Sequence, residues 1–206
     1  MIGPLIGPLI GIDEAGRGPL AGPVCAAAVQ LPETFDRSGL TDSKRLSPRR
    51  RAGLAQRLKA EGALWALGWA QPAEIDRHNI LAATHLAMAR ALDTLVRDYG
   101  SDLRRDWVLI DGNRNPARFP AVRRVGSIVK GDQIVAEISA ASILAKTERD
   151  AVMEALDDAR PGYGFAEHKG YPTATHLAAL TRLGPSDAHR QSFAPVARVS
   201  KGRVNR

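Results

Sequence analysis

Gly11-Ile12-Asp13-Glu14-Ala15-Gly16-Arg17-Gly18-Pro19-Leu20-Ala21-Gly22-Pro23 is the stretch around which the chain is organised. An apolar run, Leu9 to Ile12, leads into two carboxylates; a glycine-arginine-glycine turn follows, and a second apolar run covers Val24 to Val29. The pattern reads as strand, acidic corner, strand. Successive strand side chains point to opposite faces, so Asp13 and Glu14 do not both face one site on a regular strand. The glycines just after them are expected to bend the chain and re-aim one of the two acids. Carboxylates ending a buried strand suit a hard cation held by oxygen.

Working outward, Leu64 to Ala70 reads as a third strand, and short connections predict that the three are antiparallel neighbours. Between the second and third, Ser47-Pro48 predicts a capped helix start. That helix carries Leu54 and Leu58 on one face and Arg49, Arg50, Arg51, Arg57 and Lys59 elsewhere, either a solvated surface or a binding one. Pro72 to Arg77 suggests a short helix, and Asn79 caps a longer one whose Ile80, Thr84, Ala87, Met88, Ala91 and Leu95 form a core stripe. Trp107 to Asn113 repeats the opening logic, an apolar strand ending in an aspartate and then glycine. Val122 to Val129 is the expected last strand. Lys130-Gly131-Asp132 is expected to open a long helix to about Asp157, with Ser139-Ala140-Ala141-Ser142 small enough to pack closely on a sheet. After Pro161-Gly162, Thr173 starts a helix bearing Leu177, Leu180 and Leu183. One domain over 1–206 is expected. Within it, 1–8 is a flexible leader containing a short tandem repeat, about 161–197 is a helical C-terminal part, and 198–206 is a loose basic tail.

At 206 residues, with 44% hydrophobic and 25% charged, the composition is that of an ordinary globular protein. The formal net charge of +7 and a sequence pI of about 10.1 point to a polyanionic partner, nucleic acid before membrane. The bland alternative is a basic protein with no such partner. A single cysteine, Cys25, excludes an internal disulfide and cysteine-rich zinc sites, and it reads as a small core residue in a reducing compartment. No stretch is long and apolar enough to span a bilayer, and no basic segment precedes an apolar one at the start, so the cytoplasm is the expected location.

Acids end three separate segments: Asp13-Glu14, Asp111 and Asp132. Taken singly, Asp132 reads as a helix cap and Asp111 before Gly112 as turn chemistry. Taken together, with the strands of Asp13 and Asp111 adjacent, they converge. Converging carboxylates repel unless a cation neutralises them. Four suit two divalent ions with positions left for water and phosphate, which makes a basic protein of this kind a candidate nuclease. The five histidines, His78, His85, His168, His176 and His189, lack zinc-like spacing, and surface or hydrogen-bonded roles are expected for them.

Several blocks then occur together and in order: Gly11 to Val24, Asp42-Ser43-Lys44, Ile110-Asp111-Gly112-Asn113, Lys130-Gly131-Asp132, Ala140 to Lys146, His168-Lys169-Gly170-Tyr171 and His189-Arg190-Gln191-Ser192-Phe193. In this the chain closely resembles ribonuclease HII, the type 2 ribonuclease H of bacteria, from about Gly11 to Val196. The resemblance implies an α/β ribonuclease H-like fold, a mixed five-stranded sheet flanked by helices with a helical C-terminal extension. It implies cleavage of RNA paired to DNA, and of single ribonucleotides embedded in duplex DNA, on the 5′ side of the ribonucleotide. The products would carry a 3′-hydroxyl and a 5′-phosphate. Asp13, Glu14, Asp111 and Asp132 would be the catalytic, metal-binding acids, holding two divalent cations, Mn2+ or Mg2+. Gly16, Arg17 and Gly18 would sense the ribose 2′-hydroxyl, and Tyr171 would pack on the sugar of the next nucleotide. Gln133 to Glu137 departs from the commoner lysine- and serine-rich version, and Cys25 replaces a usual aliphatic; neither touches the chemistry. The extra N-terminal domain of ribonuclease HIII is not expected.

Two other classes stand beside the nuclease. A catalytically silent hybrid-binding module would not need all four acids. Another metal-dependent enzyme of this fold, an exonuclease or transposase, would not need the glycine turn or Tyr171. A monomer is expected, and the sequence shows no double-aromatic clamp-binding peptide in the tail that would name a replication partner.

Overall fold

A computed structural model describes residues 8–100, 107–113, 119 and 124–204. Its centre is β1 (Leu9–Ala15), a strand with an antiparallel neighbour on one side, β2 (Val24–Gln30), and a parallel one on the other, β4 (Trp107–Asp111). β3 (Leu64–Ala70) pairs antiparallel with β2, and β5 (Val125–Ile128) pairs parallel with β4, giving a mixed five-stranded sheet in the order β3-β2-β1-β4-β5. Val122 and Arg123 of the expected last strand, and residues 1–7 of the leader, lie outside the described residues.

The sheet is covered on both faces, which is why β2 reads as an unbroken run of small apolar residues. Ala26 and Ala28 of β2 join Ile10, Ile12, Val108 and Ile110 under α3 (Ile80–Tyr99). Cys25, Ala27 and Val29 face α1 (Pro48–Ala60) and α4 (Ala136–Ala159). Two glycines allow the helices to approach this closely. A Cβ on Gly11 would stand 2.2 Å from the Glu137 carbonyl carbon of α4, and one on Gly68 would stand 2.0 Å from the Ala87 oxygen of α3. The small residues Ser139 to Ser142 are all buried there, as their size predicts.

The caps follow the sequence. Ser47 accepts from Arg50 N–H, Asn79 from Leu81 and Ala82 N–H, and Thr173 from His176 N–H at the start of α6 (Ala174–Leu183). α2 (Pro72–His78) is the expected short helix, and α5 (Phe165–His168) lies between α4 and α6.

Three expectations are corrected. The register of β1 on β2 runs unbroken through Asp13↔Ala27, Glu14↔Ala26 and Ala15↔Cys25, so no bend re-aims either acid. The ladder hydrogen bonds hold the strand straight past both acids, and the turn comes later. The long helix begins at Ala136: Lys130 takes a left-handed conformation, Gly131–Gln133 forms a single tight 3-10 turn, and Val135 is extended. Asp132 is therefore no helix cap; its backbone carbonyl instead accepts the Ser139 hydroxyl. Finally, the expected loose tail is helical from Arg198 to Val204, because α7 spans Ala194–Val204; Asn205 and Arg206 lie outside the described residues. Val196 and Val199, three residues apart, pack with Leu20 and Leu180 and hold it.

Candidate active site

The pairing Ile12↔Ile110 brings the ends of parallel β1 and β4 side by side, with Asp13 and Asp111 one residue further on. Alternation puts Asp13 on the face of Gly11, toward α4, and Glu14 on the face of Ile10 and Ile12, toward α3. Asp13 is 5% exposed. It accepts the Glu14 N–H at 2.7 Å and a hydrogen bond from Ser142 of α4. The Ser142 hydroxyl also meets that of Ser43 at 2.9 Å. Gly131 N–H donates to Asp111 Oδ1 at 2.7 Å, which ties the turn carrying Asp132 to the end of β4. Four acids from three segments thus gather at the C-terminal ends of β1 and β4.

Their electrostatics are unfavourable as they stand. Burial, then the charges of Glu14 and Asp111, pushes Asp13 well above the usual carboxylate range. Burial raises Glu14; Arg17, 3.2 Å away, and more weakly Lys44 pull it back, while Asp111 adds to the rise. Burial raises Asp132 as well, followed by repulsion from Asp111 and Asp42. Asp111 is felt at all three of the other acids. Among the described residues no three His, Cys, Asp or Glu side chains form a ready-made ion cage. The site is an open set of oxygen donors with too little positive charge around it. That donor set fits hard divalent cations, which would be the largest local charges and would offset the repulsion.

Beside the acids lies a cleft of about 710 Å³, walled by Glu14, Gly16, Arg17, Gly18, Lys146 and Tyr171 among others. A second, of about 320 Å³, contains Asp111 and shares Glu14 and Arg17 with the first. All four residues expected to read the sugar therefore line one cavity. Gly16 has φ +98°, a conformation that side chains with a Cβ rarely adopt. A Cβ on Gly18 would touch Tyr171 Cε1 at 3.3 Å. Tyr171 is 43% exposed.

Tyr171 stands over a buried histidine chain. Its carbonyl takes the His176 Nδ1–H at 2.9 Å, so neutral His176 accepts at Nε2. His189 donates there from its own Nε2 at 3.1 Å, and its Nδ1 accepts Ser186 N–H at 3.0 Å. This is the one neutral assignment that satisfies every partner. His168, stacked on His176 at 4.4 Å, donates to the Tyr163 carbonyl and accepts from Gly170 N–H. These three histidines are hydrogen-bonded, as expected, and buried rather than on the surface.

The ribonuclease HII profile matches residues 10–196. The chain belongs to the ribonuclease HII family. A ribonuclease HII of Neisseria meningitidis serogroup C (strain 053442) is 53% identical over 186 residues, covering 90% of this chain and 92% of that one. Among solved structures, the ribonuclease H2 of Pyrococcus horikoshii OT3 superposes with a TM-score of 0.71 at 22% identity, over 97% of this chain and all of that one (100%). Bst-RNase HIII in complex with Mn2+ gives 0.78 at 21% identity, over 97% of this chain and 71% of the other. Those two likenesses establish the ribonuclease H fold. The superposition holds although about four residues in five differ, as a fold set by layer packing allows.

Several further groups stand at the site of this ribonuclease HII family member. The size of Ser142 suits close packing, yet a serine among alanines in a buried run is itself a polar signal. Arg51, Lys146 and Asp150 form a network beside the cleft, with Lys146 2.6 Å and Arg51 3.4 Å from the Asp150 carboxylate. Arg149 continues the spacing of Ile138, Ala141, Ser142 and Ala145 toward Met153, which places it on the buried stripe of α4.

Proposed function

We propose that this protein cuts the RNA strand of RNA–DNA hybrids and single ribonucleotides embedded in duplex DNA, 5′ of the ribonucleotide, leaving a 3′-hydroxyl and a 5′-phosphate. The observation that carries this is the gathering of Asp13, Glu14, Asp111 and Asp132 beside the cleft walled by Gly16, Gly18 and Tyr171. Membership of the ribonuclease HII family supports it.

The four acids would hold two divalent cations, Mg2+ or Mn2+; when bound, these supply charge to activate water and to stabilise the leaving oxygen of a phosphodiester. The remaining work falls to the chain. Asp13, fixed by Glu14 N–H and Ser142, presents a carboxylate that cannot swing away. Gly131 holds Asp111 from the other side. Gly16 to Gly18 lets backbone groups come within reach of a 2′-hydroxyl, the one group that separates ribose from deoxyribose. Tyr171 offers a ring face to the neighbouring sugar, which excludes a substrate that does not lie flat. The net charge of +7 favours a nucleic-acid duplex as partner. We further take residues 1–206 to act as one catalytic domain, as a monomer, in the cytoplasm, where the lone Cys25 stays reduced. Among the described residues no helix is long and apolar enough to cross a membrane.

The test is digestion of a duplex containing one ribonucleotide beside the same duplex made wholly of DNA, with Mg2+ and then Mn2+. The expected result is a single cut 5′ of the ribonucleotide and none in the all-DNA control. Cutting of both, or of neither with either cation, would overturn the reading.

A further inference from the structure

Arg190 is completely buried, at 0% exposure, and is paired with no carboxylate among the described residues. Asp76, the acid whose charge reaches it, is occupied by Gln191 N–H and by Ser192. Its guanidinium instead spends every donor on main-chain carbonyls of one segment. Nε donates to Gly22 (3.0 Å), one terminal nitrogen to Arg17 (2.9 Å) and Pro19 (2.7 Å), the other to Gly16 (2.6 Å) and Gly22 (2.9 Å). Arginine has five N–H groups, and all five are used. The face of Phe193 lies 5.2 Å from the guanidinium carbon and completes its enclosure. Burial, and then the nearby charge of Arg149, lowers Arg190 to about 9, which leaves it cationic at neutral pH.

Arg149, 1% exposed, does the same for the far side of the segment. It donates to Pro23 (3.0 Å), Ala21 (3.2 Å) and Lys169 (3.1 Å), the last lying two residues before Tyr171. Main-chain bonds close the unit: Leu20 N–H to Gly170, Gly22 N–H to Ala188, and Arg190 N–H to Leu20. The turn, the Tyr171 loop and the segment carrying Arg190 therefore move together or not at all.

In a planar trans peptide the carbonyl and the following N–H point in opposite directions. Holding the Gly16 and Arg17 carbonyls inward on Arg190 thus turns the N–H groups of Arg17 and Gly18 away from it. We propose that Arg190 is the positioning residue for ribose recognition, fixing those two peptides at the spacing from Tyr171 that a 2′-hydroxyl requires. This rests on the reading that Gly16 to Gly18 and Tyr171 meet the sugar. Arg190 itself, sealed beneath the turn, acts only through it. A lysine at 190 would keep the charge and the stem but, with all its donors on one nitrogen, would not span four carbonyls.

The test is binding, in Mg2+, of a duplex with one ribonucleotide and of the matching all-DNA duplex, in an Asp13→Asn background that does not cleave. The parent is expected to prefer the ribonucleotide. Adding Arg190→Lys should lower that preference about tenfold, the scale of one lost charge-assisted hydrogen bond, with all-DNA affinity little changed although the melting temperature falls as buried carbonyls lose their donors. A merely structural loss would lower both affinities together and would count against the proposal, as would a folded Arg190→Lys with the parental preference. Arg149→Lys is the second variant, with an expected loss of about threefold because it holds the turn only at its end. If Arg190→Lys does not fold, an unchanged preference in Arg149→Lys overturns the proposal, and failure of both to fold would assign the guanidiniums to stability instead. A parent with no preference would sink the sugar-reading assignment itself.

Discussion

Two buried charge clusters lie next to each other in this protein, and they are handled in opposite ways. The acids at the ends of β1 and β4 repel one another and are raised by burial, with Arg17 and Lys44 only partly offsetting them. Arg149 and Arg190, more deeply buried and of like sign, are held by backbone carbonyls, on all five N–H groups of Arg190 and from each of the three nitrogens of Arg149. Burying an ion is tolerable when its hydrogen-bonding groups are satisfied and costly when they are not. Each nitrogen of the arginine pair thus has its partner within the chain. The acid cluster is not balanced within the chain, and on the function proposed above divalent cations and a phosphodiester would balance it from outside. A satisfied cluster gives rigidity and an unsatisfied one is left open to a ligand, and here the rigid one underlies the turn beside the open one.

The sharpest way to break this contrast is at Asp13. Asp13→Asn should lower cleavage of a ribonucleotide-containing duplex by more than about a hundredfold, the scale of removing one charged group from a preorganised site. Affinity for the duplex should hold, as gel-shift titration would show. Near-normal turnover would mean that the acids are not the reactive cluster.

Next comes the seam between the clusters. A Cβ on Gly16 would stand 2.0 Å from Arg149 Nε, at φ +98°. Arg149 cannot yield cheaply, because three carbonyls hold it. Gly16→Ala should therefore cost about 2–4 kcal/mol in urea unfolding, from strain and overpacking together. A cost under about 0.5 kcal/mol would show that the arginine side is softer than described.

A smaller effect tests the acids as a stability liability. With no cation present, Asp13→Asn should melt about 2–4 °C higher at pH 7 than the unchanged protein, because the penalty of burying a carboxylate there and its repulsion by Glu14 and Asp111 are both relieved. Mg2+ or Mn2+ should raise the melting temperature of the unchanged protein more than that of the variant. Equal shifts would place the cation elsewhere.

The last test concerns the neutral histidines that bond the Tyr171 carbonyl and one another. Burial and then His176 hold His189 down, to about 4, against an ordinary 6.5. A group depressed on folding binds more protons unfolded, so its contribution is whole above about pH 6.5 and fades as the pH falls toward 4. His189→Gln should flatten that part of the melting-temperature profile. An unchanged acid limb would mean that the chain of ring hydrogen bonds does not bear on stability.

Much of this was legible in the residues. Alternation and helical spacing named the strands and the main helices, and the acids at segment ends named the cluster that meets at the ends of β1 and β4, because these are local properties of the chain. Where reading failed, a distant contact had intervened. The bend expected between Asp13 and Glu14 is absent because β2 holds β1 in register past both. The tail beyond Arg198 is helical because Val196 and Val199 find Leu20 and Leu180.

By itself the sequence determined the kinds of element, the order of the family's blocks and which carboxylates were available. Only the tertiary structure decided what compensates each buried charge. Arg190 meets the Gly16 carbonyl across 174 residues and Arg149 meets that of Ala21 across 128. A main-chain carbonyl is the same acceptor at every position, so no residue type announces which one a buried arginine will find.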